Sequence, residues 1–278
     1  MEIDAKNQQE QGGVREALKQ AKRIVIKIGT SSLVHAGGKM NLRRIEKLAR
    51  VISELMNQGR EIILVSSGAI GVGSEALKLR ERPSTVSGRP AAAAVGQVHL
   101  MQVYSRLFAE YGYNVAQILL TRDTVDAPEA KQNAVNTFTG LIEMHVLPVV
   151  NENDTIAVDE IKFGDNDNLS SIVARITGAD LLIILTDIDG YYKDNPADRP
   201  DAEMYHNITD LSEAIETAAG GAGSRLGTGG MLTKVHASRL AAAAGIHAVI
   251  ANGSDPEILY RILDGEDVGT MFVGKTAQ

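Results

Sequence analysis

Arg23-Ile24-Val25-Ile26-Lys27-Ile28-Gly29 is a short run of β-branched residues closed by a glycine. Such a run reads as a buried strand ending in a tight turn. Lys27 is its anomaly. A lysine inside an apolar core run is costly unless it is paired or faces a polar site. The bland alternative is an edge strand whose lysine points to solvent. The run looks central, which favours the polar site.

Working outward, Asn41 can cap a helix to about Asn57, with Ile45, Leu48, Val51, Ile52 and Leu55 at helical spacing. Ile62 to Val65 is a second buried strand, ending at Ser66-Ser67-Gly68. A helix from about Pro90 to Tyr111, a strand Val115–Leu120, a helix near Pro128 to His145 and a strand Val146–Val150 follow. The second half repeats the theme. A helix from about Asn168 to Thr177 precedes a strand Leu181–Leu185, and one from about Thr228 to Ala244 precedes a strand Ala248–Ala251. Strands alternating with helices imply an α/β fold, a largely parallel sheet covered on both faces. Ligands then gather at the carboxyl ends of the strands. Residues 23–278 read as one globular unit with a division near Leu185. The polar stretch Met1 to Lys22, with its Gly12–Gly13 pair, reads as a flexible extension, so order is expected from Arg23.

Composition narrows the function. With 35 acidic against 28 basic residues the formal charge is -7, which speaks against sequence-independent binding of nucleic acid. There is no cysteine, hence no disulfide, thiolate zinc site or cysteine nucleophile. Histidines stand at 35, 99, 145, 206, 236 and 247, without metal-ligand spacing, so no metal site is expected. Apolar runs fall short of the roughly 20 residues of a membrane span. The expectation is a cytoplasmic protein that binds neither nucleic acid nor membrane.

Three glycine-rich turns carry the chemistry: Lys27 to Ser32, Ser66 to Gly71 and Gly227 to Lys234. Glycine lets backbone N–H groups approach an anion, and a helix N-terminus adds free donors. Each turn alone could simply be a tight βα connection. No P-loop, dinucleotide fingerprint or protein-kinase motif is present. Lys234 is placed about two turns into the helix opened by Gly229–Gly230, leaning back toward its start. Two lysines, Lys27 and Lys234, could then neutralise a phosphoryl group in transfer.

Asn151-Glu152-Asn153-Asp154 follows a strand, and Gly164-Asp165-Asn166-Asp167-Asn168 opens a helix. Caps and turns use the same residues. A calcium loop does not fit, because Ser170 and Ile176 stand where glycine and glutamate are required. Clustered amides and carboxylates suit a ligand's ammonium group, and one carboxylate could orient both lysines. Thr186-Asp187 ends a strand where a nucleotide could lie, although a plain β-turn accounts for it equally well.

Taken together, over roughly Arg23 to Phe272, these blocks resemble the amino acid kinase family. Asn151 to Asp154 and Gly164 to Asn168 are most similar to its glutamate-phosphorylating branch. The resemblance implies a three-layer αβα sandwich around a mostly parallel sheet of about eight strands, with a glutamate lobe (about 23–185) and a nucleotide lobe (186–278). It implies ATP-dependent phosphorylation of the γ-carboxylate of L-glutamate to L-glutamyl 5-phosphate, the first step of proline biosynthesis, with Mg²⁺ bound alongside ATP. Lys27, Lys234 and Asp167 match the two phosphate lysines and the carboxylate that organises them, with Gly29 and Gly68 as backbone donors. Ser67, Asn151, Asp154, Asp165 and Asn166 fall on acceptor-binding positions. Lys27, Thr186, Asp187, Thr228, Gly229, Gly230, Met231 and Lys234 fall on the nucleotide site. A homo-oligomer, dimer or tetramer, and feedback inhibition by proline are further implications. Many members continue into a PUA domain, for which a chain ending at Gln278 leaves no room. A γ-carboxylate is already ionised at neutral pH, so no general base is needed. Two other readings are another carboxylate or carbamate kinase of the same fold, and a non-catalytic amino-acid sensor, which would need neither lysine.

Overall fold

The structure, a computed structural model, describes residues 13–35, 37–81, 83, 85, 87–121, 126–156, 166–194, 196–212 and 230–275. Eight strands form one sheet: β1 (Arg23–Ile28), β2 (Glu61–Val65), β3 (Val115–Leu120), β4 (Leu147–Glu152), β5 (Leu181–Thr186), β6 (Asn207–Ile208), β7 (His247–Asn252) and β8 (Thr270–Phe272). Their order is β3-β4-β2-β1-β5-β7-β8-β6, parallel throughout except where β8 runs antiparallel to β7. β1 therefore has neighbours on both sides, and the edge-strand reading of Lys27 is set aside.

Side chains alternate across these strands. Ile24, Ile26, Ile28, Ile62, Leu64, Leu181, Ile183 and Leu185 pack into the core on one face. Val25, Ile63, Val65, Leu182 and Ile184 pack into the other. Because both faces are buried, the strands read as continuous apolar runs. The first face is covered by α2 (Leu42–Asn57) and α4 (Gly88–Ala109), which supply Leu48, Ile52, Leu100 and Phe108 to its core. Asn41 caps α2 as expected, accepting the N–H of Arg44 at 3.2 Å. The second face is covered by α5 (Pro128–Glu143), α6 (Asn166–Thr177) and α7 (Met231–Ala243), through Phe138, Leu169, Val173, Val235 and Ala241.

Four short elements go beyond the sequence reading: α1 (Thr30–Leu33), α3 (Ala69–Ala76), β6 and β8, and α8 (Ile258–Leu263) adds another. α3 crosses α4 at glycines. A Cβ on Gly73 would stand 1.8 Å from the carbonyl oxygen of Ala92, and one on Gly96 1.8 Å from that of Ala69. Such an approach is open to glycine alone.

Order also begins before Arg23. Residues 13–19 are helical, and Leu18 and Ala21 join the first core. Arg15 is 2% exposed. Its N–H groups reach the carbonyl oxygens of His206 (2.8 Å), Glu266 (3.0 Å), Val268 (2.8 Å) and Gly269 (3.2 Å), and Asn207 Oδ1 (3.1 Å). Counting apolar residues undervalued this stretch, because one arginine and one leucine anchor it. Among the described residues, no helix is long and apolar enough to cross a membrane.

Candidate active site

Lys27 shares the strand face of Val25, so its side chain enters the layer of α6 and α7. Asp167 lies in the first turn of α6 and is fully buried. Lys27 Nζ stands 2.5 Å from Asp167 Oδ1, and Lys234 Nζ 3.1 Å from Asp167 Oδ2. Lys234 is the fourth residue of α7, about one turn from its start at Met231 rather than two. Burial pushes the Asp167 carboxyl up, but the charges of Lys27 and Lys234 and their hydrogen bonds outweigh it and hold it down to about 2. The carboxylate is thus ionised at neutral pH and fixes both ammonium groups at the carboxyl end of β1.

The opposite wall is an amide and hydroxyl network. Asn166 Nδ2 lies 3.0 Å from each of three acceptors: the carbonyl oxygen of Ser66, Ser67 Oγ and Asn151 Oδ1. Asn166 Oδ1 is buried without a donor. Gly68 precedes α3 with φ 93°, a left-handed conformation favouring glycine. Ser66 Oγ pairs with the Tyr104 hydroxyl of α4 at 2.9 Å, both groups buried. Sequence reasoning missed this support, since nothing local joins residues 38 positions apart. β4 runs two residues further than expected, which places Asn151 and Glu152 on the strand itself.

These residues bound one cleft of about 1150 Å³, lined by Lys27, Gly29, Ser67, Gly68, Asn151, Asp154, Asn166, Thr186, Asp187 and Lys234. Asp167 lies beneath its two lysines. Thr186 ends β5 and its hydroxyl donates to Asp187 Oδ1 at 3.1 Å. Gly230 caps α7 without a side-chain partner, and Met231 packs against the second core, so neither lines the cleft. Asp165, Thr228 and Gly229 lie outside the described residues. A second groove, about 940 Å³ between α5, α6 and α7, contains none of the expected site residues.

Two buried cations share one carboxylate in a cleft also lined by Gly29 and Gly68, an arrangement suited to an anionic group such as a phosphoryl. The family model of the amino acid kinase family matches residues 22–252. The chain belongs to the amino acid kinase family. Within it, the chain is 52% identical to the glutamate 5-kinase of Clostridium perfringens over 269 residues, covering 95% of this chain and 100% of that one. It is also 52% identical to that of Listeria innocua over 266 residues, covering 94% and 96%. Among solved amino acid kinase folds, the UMP kinase of Bacillus anthracis superposes with TM-score 0.62 at 17% identity, over 93% of this chain and 98% of that one. Carbamate kinase from Giardia lamblia, bound to AMP-PNP, gives 0.64 at 18%, over 92% and 99%. At such identities the structures speak for the fold.

Proposed function

We propose that this chain is a phosphotransferase that carries the γ-phosphoryl group of ATP to the γ-carboxylate of L-glutamate, giving L-glutamyl 5-phosphate and ADP in proline biosynthesis. The observation that carries the reading is the Lys27–Asp167–Lys234 triad at the floor of the cleft, set against the Ser67–Asn151–Asn166 wall. The full-length likeness to glutamate 5-kinases supports it.

A carboxylate oxygen of glutamate forms the new bond to phosphorus as the bond to the ADP oxygen breaks. No proton moves, in keeping with a cleft in which His35 is the one histidine among the described residues. Lys27 and Lys234 neutralise the equatorial oxygens, and Asp167 holds both against their mutual repulsion. Gly29 and Gly68, after β1 and β2, line the cleft, and their N–H groups are the backbone donors of this reading. Asn166 and Asp154 line the same cleft, and their amide and carboxylate groups suit the α-ammonium of glutamate. Thr186, Asp187 and Lys234, which line the same cleft, hold the nucleotide. Among the described residues no three carboxylate or histidine side chains gather to hold a metal ion. Mg²⁺ would arrive with the nucleotide and would supply charge neutralisation on its phosphates.

The test is ATP consumption with Mg²⁺ and L-glutamate, N-acetylglutamate, aspartate or no acceptor, with hydroxylamine trapping the acyl phosphate. Hydroxamate is expected with glutamate alone. Its absence from folded protein with every acceptor would favour the sensor. Assembly into a dimer or tetramer and inhibition by proline belong to the same reading, checked by light scattering and by proline titration of this assay.

A further inference from the structure

Lysine ammonium groups are point charges on flexible stems and give little directional hold. A carboxylate gripped by two of them can still turn about its own bond to the side chain, carrying both cations with it. Asp167 has a directional contact as well. Thr233 Oγ1 stands 2.9 Å from Asp167 Oδ2, the oxygen that Lys234 also meets. The hydroxyl has one proton and two acceptors in reach, the other being the carbonyl oxygen of Gly230 at 2.8 Å. That carbonyl already receives the backbone N–H of Thr233 at 3.2 Å. A charge-assisted bond to an ionised carboxylate is the stronger of the two, so the proton goes to Asp167. Thr233 is β-branched, with few side-chain rotamers in a helix, which keeps its oxygen in place. The bond also ties the first turn of α7 to the first turn of α6, the two helices that deliver Lys234 and Asp167.

We infer that Thr233 is a positioning residue of the phosphoryl-transfer site: its hydroxyl fixes the plane of the Asp167 carboxylate and thereby sets both Lys27 and Lys234 on the transferring group. The inference rests on the phosphotransferase reading above and adds to it a residue acting through Asp167, without contact to substrate.

The test compares wild type, Thr233→Val, Thr233→Ser and Asp167→Asn, each alone, and Thr233→Val combined with Asp167→Asn, in the hydroxamate assay. Thr233→Val keeps the shape and deletes the hydroxyl. It should lower kcat about ten- to a hundredfold, the range for losing a hydrogen bond to a charged group, with glutamate KM within about twofold. Thr233→Ser should restore kcat to within about threefold, because the donor returns. In the Asp167→Asn background the valine should add less than about a threefold further loss, since a residue acting through Asp167 has nothing left to act on. Wild-type kcat in Thr233→Val, equal defects in the valine and serine variants, or a fully additive double variant each overturns the inference. Should Thr233→Val fail to fold, Thr233→Ala carries the same comparisons. Absence of hydroxamate from the wild type would instead sink the reaction itself, an outcome separate from any variant.

Discussion

Lys27 and Lys234 are both buried, yet in the proposed reaction they face different demands from Asp154, which lines the same cleft. In the proposed reaction Lys234 meets the group that changes charge during transfer. Lys234→Ala should therefore lower kcat about a hundredfold or more, the usual scale for an electrostatic contact to a transition state, while glutamate KM stays within about threefold. An unchanged kcat removes Lys234 from the transfer step. For Asp154→Ala the effect should fall on glutamate KM, a rise of about tenfold or more from losing one charged partner of the ammonium. Steady-state kinetics at saturating ATP separates the two cases. Lys27 was legible in the sequence because a charge inside Ile24–Ile28 contradicts its surroundings. Asn166 and Asp167 were legible as a polar block at a helix start, although caps use the same residues. Thr233 and Tyr104 left no such mark. Their partners lie 66 and 38 positions away, and a threonine in a helix or a tyrosine in an apolar stripe is ordinary until the fold brings the partner near.

Elements differ in how far they announce themselves. β1, β2 and β5 are β-branched or leucine-rich runs bounded by glycine or polar residues, and α2 carries a clear apolar stripe behind an asparagine cap. α3 is the contrary case. Ala69-Ile70-Gly71-Val72-Gly73-Ser74 has poor helix propensity and no stripe, because the glycines serve contact with α4 rather than helix formation. Gly96→Ala should cost about 3 kcal/mol or more, since the new methyl meets backbone that cannot yield. It should also weaken glutamate binding, because α3 carries Gly68 at its start. Urea unfolding reports the first effect and KM the second; a neutral Gly96→Ala would show that the helices can part. β7 offers a pH test. His247 is half-buried, and its Nδ1 accepts the N–H of Gly274 at 3.1 Å. Burial lowers its pKa from the ordinary 6.5. The unfolded chain then binds the proton more readily, so stability is full above pH 6.5 and falls as pH drops below it. His247→Gln should flatten that slope in denaturation curves between pH 5 and 8. The Asp167 carboxyl adds no slope in that window, because its depressed pKa keeps its contribution whole there and places the loss between about pH 4 and 2.

At the scale of the whole molecule, the sheet passes unbroken from β3 to β6, and each core draws on both sides of Leu185. The parallel α/β class was readable from alternation alone. The antiparallel β8 and two-residue β6 were not, because segments of that length carry no period. Nor was the docking of residues 13–19, which depends on backbone carbonyls that composition does not reveal. Arg15→Ala would leave several of those carbonyls short of a donor and should cost about 3 kcal/mol, seen in urea unfolding and in faster amide exchange over residues 13–21. Arg15→Lys should recover little, since an ammonium cannot reproduce the fork of five donors. A variant as stable as wild type would show the contact to be incidental. The partners of Arg15 lie 191 to 254 positions along the chain. During synthesis the helix over residues 13–19 thus finds its seat only when residues 206–269 have emerged. Until then Leu18 has no complete core to enter, and a nascent or truncated chain keeps a loose leading end. The closing of that contact reports that residues 206–269 are in place, and where it fails a protease should cut faster between residues 13 and 21.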